Sequence, residues 1–146
     1  MLAQNADTRR ISLRKLLWVS PLAMVVSIVA NEIFYAIVGA LIPSVGEWPG
    51  TGPGPIIVVS IFLLLIASVV FAAVVRFSSR PVRTYWFVAT IALVITFALP
   101  IGAGAGFGGR PGTPPADTAT VITLLLMHVI AYAISVPMFT RLTRAS

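Results

Sequence analysis

Residues 56–75 read IIVVSIFLLLIASVVFAAVV, and the residues behind them, 76–83, read RFSSRPVR. The first segment is apolar throughout except for Ser60 and Ser68. Its length matches the ~20 residues that carry a helix across a ~30 Å hydrocarbon core. Only helices and closed barrels satisfy every backbone polar group in lipid, and the continuous apolar run lacks the alternation of a barrel strand. The second segment gathers Arg76, Arg80 and Arg83 into a turn that lipid would reject. A membrane-spanning helix closed by a basic turn is the result.

Three further apolar runs flank this one: Leu16–Ile42 before it, and Thr84–Ile101 and Thr118–Thr140 after it. Together they predict helices over 16–42, 56–77, 84–101 and 118–140. The composition agrees. Hydrophobic residues make up 58% and charged residues 10% of the chain, against roughly 25% charged in ordinary globular proteins. With 146 residues in all, a single integral domain over 1–146 is expected. The predicted fold class is an all-α membrane protein, a four-transmembrane-helix bundle in a lipid bilayer.

The formal net charge of +6 invites a nucleic-acid reading, which the placement of the charges excludes. Arg9, Arg10, Arg14 and Lys15 precede the first run, Arg76, Arg80 and Arg83 separate the second from the third, and Arg141 and Arg144 follow the fourth. These nine of the ten basic residues fall on one side of the membrane, with Arg110 alone on the other. By the positive-inside rule both termini are cytoplasmic. The opposite links, Pro43–Pro55 and Gly102–Asp117, are rich in Gly and Pro and too poor in apolar residues to fold alone, which predicts extended or mobile segments. Glu47, Arg110 and Asp117 stand at this external mouth, where solvated surface charge is the default.

Small and polar residues favour helix contacts in lipid. Ser20, Met24, Ser27, Asn31 and Tyr35 mark such a stripe on the first run, and Thr120, His128, Ala131 and Ser135 on the fourth. Glu32 is the one formally charged residue deep inside a run, and His128 is the only histidine. At 1.5 Å per residue, Glu32 and His128 lie about 15 Å below the same boundary. With Asn31 they form a candidate polar centre. An intramembrane carboxylate costs several kcal/mol unless paired, hydrated or neutral, so Glu32 is either a proton or cation site or a register-fixing hydrogen-bond partner.

No catalytic residues, cofactor or metal are expected. Cysteine is absent, which removes thiolate ligands and nucleophiles. One His and one Glu are too few for zinc or iron, and Met127 points about 100° away from His128, so it cannot complete a haem site. The glycine run Gly102-Ala103-Gly104-Ala105-Gly106 follows no strand and has no force as a nucleotide loop.

The chain resembles a family of small bacterial four-helix membrane proteins known only as a domain of unknown function. Arg80-Pro81-Val82-Arg83-Thr84, Pro100, Asp117 and Leu126-Met127-His128 carry the likeness, in matching order along nearly the whole chain. The resemblance implies four helices, the bacterial cytoplasmic membrane and attention to His128; it implies no activity, and Glu32 is outside its pattern. Val29-Ala30-Asn31-Glu32-Ile33 is similar in layout to the first helix of small multidrug-resistance transporters, from which this chain departs in its length, its Gly/Pro-rich links and its single orientation. The expected function is that of a non-enzymatic accessory or interaction subunit, working with a membrane-protein partner or as a homo-oligomer. The alternative is a proton-coupled transporter or channel using Glu32, and the third reading is a membrane redox or enzyme subunit.

Overall fold

The computed structural model describes residues 11–107 and 112–144. They form α1 (Leu13–Leu41), α2 (Pro43–Glu47), α3 (Pro53–Phe77), α4 (Pro81–Thr96), α5 (Ala98–Gly104) and α6 (Thr118–Leu142). No strand occurs among the described residues, where a lone bridge pairs Ile11 with Arg144. Four segments are long and apolar enough to cross a membrane: α1, α3, α6, and α4 together with α5. The protein is a four-span, all-α bundle.

Prolines set half of the helix starts. Pro43, Pro53 and Pro81 each occupy a first-turn position, where a missing N–H costs nothing. α1 stops at Leu41 because Ile42 precedes Pro43 and is pushed into an extended conformation, with φ −133° and ψ 87°. α6 starts differently: the Asp117 side chain accepts a 2.7 Å hydrogen bond from the Thr120 N–H and caps the helix.

The third span departs from the single helix predicted over 84–101. It begins at Pro81, breaks at Phe97 and continues as α5 to Gly104. Pro100 is the cause: with no N–H to give, it leaves the Thr96 carbonyl without its donor one turn ahead. Around the break the Phe97 N–H is shared between the carbonyls of Leu93 (3.2 Å) and Val94 (3.3 Å), and the Thr96 hydroxyl donates to Leu93 O at 2.7 Å.

The helices alternate in direction, so the bundle has a basic end and a Gly/Pro-rich end. α1 packs on α3 and α6, and α4 packs on α3 and α6 from the far side. At the basic end the core is tight. Leu16, Val19 and Ala23 of α1 meet Phe71, Tyr85, Val136 and Phe139 in one buried cluster. Phe71 sits edge-on to Tyr85 at 4.7 Å between centroids and stacks with Phe139 at 5.7 Å. The chain ends are clasped here too: Ser12 N–H donates to Thr143 O at 2.8 Å and the Lys15 ammonium to Arg144 O at 2.7 Å.

The Gly/Pro-rich end is more ordered than its composition suggested. Within the link 43–55, α2 forms a short helix, and the Thr51 hydroxyl lies 2.8 Å from both the Val45 and the Trp48 carbonyl. The two links are joined where the Trp48 indole donates to Pro114 O at 3.0 Å, and the Ala116 N–H reaches back to Ala103 O at 3.0 Å. α5 then approaches α6 so closely that a Cβ on Gly104 would stand 2.8 Å from Val121 Cγ2. Side-chain and backbone hydrogen bonds to carbonyls, together with buried Val45 and Ala116, hold these segments. Composition alone cannot register that.

Candidate intramembrane cleft

The third span is held to its neighbours at both ends, and in between Thr90 lies 2.8 Å from the Tyr132 hydroxyl of α6. At one end Tyr85 enters the aromatic cluster; at the other α5 rests on α6. Between these contacts, α4 offers small or slender side chains such as Ala89 and Ala92, and a cleft of about 270 Å³ opens against α3 and α6. Its size falls just under the ~300–1,000 Å³ of small-molecule pockets, and like them it is walled by apolar side chains with few polar ones. α5 and α3 do not pack on one another, and Gly50 and Pro55 line the cleft near the Gly/Pro-rich end.

The polar groups of the cleft come from all four spans, with Tyr85 and Thr96 on α4. Asn31 is the contribution of α1, set by a buried stripe of Leu16, Val19, Ala23, Ser27 and Asn31 at helical spacing. This seam is turned about one residue from the predicted one: Val19 and Ala23 are buried where Ser20 and Met24 had been expected, because the aromatic cluster accepts slender side chains there. Asn31 is 4% exposed, and its Oδ1 has no hydrogen-bond partner. His128 faces the same cleft from α6. Its Nδ1 lies 2.7 Å from the Leu124 carbonyl, and its Nε2 is buried without a partner. Ser60 of α3 and Ser135 of α6 add hydroxyls to the lining.

Of the predicted polar centre, Asn31 and His128 share the cleft, and Glu32 is not among the lining residues. A turn of 100° per residue carries Glu32 to a half-buried flank of α1, and no hydrogen bond or ion pair joins it to His128. Its Oε1 is nevertheless buried without a partner. The cleft itself was not foreseen from sequence; Pro100 and the run of small residues on the third span are the signals that point to it.

At the mouth, Glu47 and Asp117 are both exposed, and Arg110, the basic residue expected beside them, lies outside the described residues. The Asp117 carboxylate is engaged locally. Hydrogen bonds from Thr120 and Ser44 hold its carboxyl below the usual aspartate range.

Fold and cleft define a multi-pass helical membrane protein with a polar-floored opening inside its bundle. Residues 11–145 match the family of unknown function DUF6069, and the chain belongs to that family. No curated protein and no solved structure matches it.

Proposed function

We propose that this protein is a non-enzymatic accessory protein of the bacterial cytoplasmic membrane, with its basic end and both termini cytoplasmic, and that it works by binding a small apolar molecule drawn from the bilayer. The cleft between α3, α4 and α6 is the observation that carries this reading. Its apolar walls match the lipid phase, and two residues that line it, Asn31 and His128, each carry a buried polar atom without a partner. The test is thermal unfolding of purified protein in nanodiscs with decane or n-decanol. Ligand should raise the melting temperature of the natural chain and leave Ala92→Phe, which fills the cleft from α4, unmoved. Equal shifts in both proteins would mean a general solvent effect and end the reading.

A second reading, proton-coupled transport, is favoured by the buried and unpartnered Oε1 of Glu32. It requires pH-driven flux in proteoliposomes that disappears in Glu32→Gln. Flux undiminished in that variant removes it.

A further inference from the structure

We infer that the basic end of the bundle is a binding surface for anionic phospholipid, with Arg76, Arg80 and Arg83 of the turn between α3 and α4 holding the lipid phosphate. None of the three lines the cleft, so this surface stands apart from the binding reading above.

The fold concentrates the charge. The buried cluster of Leu16, Phe71, Tyr85 and Phe139 draws the start of α1, the end of α3, the start of α4 and the end of α6 to one end of the bundle. Seven basic residues come with them: Arg14 and Lys15, the three arginines of the turn, Arg141 and Arg144. The described acidic residues stand elsewhere. Glu32 lies deep within α1, Glu47 and Asp117 are at the opposite end, and Asp7 is outside the described residues. Two of the seven cations are turned to carbonyls, Lys15 to Arg144 O and Arg144 to Thr140 O. Arg14, Arg76, Arg80, Arg83 and Arg141 are exposed.

Depth selects the partner. Trp18 and Trp86 are both exposed, each five residues beyond the first residue of its helix, about 7.5 Å along the axis. Phe77, which is 84% exposed, adjoins Arg76. Exposed tryptophans gather where hydrocarbon gives way to headgroups. The arginines just beyond them therefore stand among lipid phosphates, and not out in the water where an acidic protein or a nucleic acid would meet them. A guanidinium at that level can pair with phosphate through two parallel N–H bonds. In a zwitterionic lipid the phosphate is already balanced by an ammonium, whereas an anionic lipid brings the charge this surface lacks.

The turn is braced to present its arginines. Ser78 Oγ lies 2.8 Å from Thr84 Oγ1 and accepts the Arg80 N–H at 3.1 Å. Arg80 immediately precedes α4 and Arg83 lies in its first turn, where no acidic side chain accompanies them. The dipole of α4 repels cations at this end. Two arginines thus sit where the protein alone gains nothing from their charge, and where a bound phosphate offsets the repulsion.

The test is native mass spectrometry of the full chain in dodecyl maltoside, titrated with phosphatidylglycerol or phosphatidylcholine. Phosphatidylglycerol should bind more tightly, and the double variant Arg80→Gln/Arg83→Gln should lose about fivefold of that preference for each arginine removed. Melting in nanodiscs separates binding from folding. In phosphatidylcholine the double variant should melt with the natural chain or above it, because a repulsion is gone. With phosphatidylglycerol added, the natural chain should melt higher. Equal binding of the two lipids overturns the inference, and so does a preference that the double variant keeps in full. A double variant that melts lower in both bilayers would make the arginines structural and overturn it equally. Displacement of phosphatidylglycerol by millimolar inorganic phosphate, or tighter binding of polyglutamate or an oligothymidylate, would assign the surface to a soluble anion and end it too.

Discussion

Asn31 and His128 face the same cleft from helices at opposite ends of the chain, and each brings a buried polar atom that the protein leaves unpartnered. Folded proteins satisfy the great majority of such atoms, and an exception costs about 1–3 kcal/mol. That cost makes the pair informative about function, and it gives the first prediction. Asn31→Ala removes an unsatisfied oxygen and enlarges a space already open to the side. It should leave the ligand-free protein as stable as before, or more stable by up to ~1 kcal/mol, in thermal unfolding. A purely register-fixing asparagine would instead show a loss.

The seam between α5 and α6 should be intolerant of a single added methyl. Gly104→Ala places a carbon 2.8 Å from Val121 Cγ2, and a β-branched valine has little freedom to turn aside. We expect a destabilisation of about 1–3 kcal/mol, as for other overpacked contacts. Adding Val121→Ala should recover most of it, and a double-mutant cycle on melting temperatures checks the coupling.

Asp117 predicts a pH dependence. Its folded carboxyl titrates below the ordinary range because hydrogen bonds from Thr120 and Ser44 stabilise the charged form. A depressed folded value means that this stabilisation is present in full above the unfolded value of about 3.9 and is lost as pH falls through the folded one. Unfolding followed from pH 7 to pH 3 should therefore show an acid loss that Asp117→Asn lacks. Asparagine still caps a helix, so the two proteins should differ little at pH 7.

Orientation can be read on the natural background, because the chain has no cysteine. Ser79→Cys, exposed in the basic turn, should resist a membrane-impermeant maleimide added to intact cells. Glu47→Cys, exposed at the opposite end, should react. The reverse pattern would invert the proposed topology.

Spans were readable from sequence because lipid imposes a length and excludes charge, and the four runs needed only small changes at their ends. Leu13, Arg14 and Lys15 joined α1, since a basic first turn can lie in the headgroup layer. What sequence could not give was rotation. Asn31 and Glu32 are neighbours in the chain yet 100° apart on the helix, and polarity alone does not say which of them turns inward. Packing decided it: the stripe that feeds Leu16, Val19 and Ala23 to the aromatic cluster also carries Asn31. The break at Phe97 was encoded in Pro100, but the seating of α5 on α6, where Gly104 meets Val121, is a matter of packing that polarity does not display.

The clasp between Ser12 and Thr143 has a consequence for biosynthesis. Of the four spans, the first to be made takes the fourth as its principal neighbour, so the bundle cannot close before α6 has been made. Until then the seam of Ser27 and Asn31 waits in the bilayer without its mate.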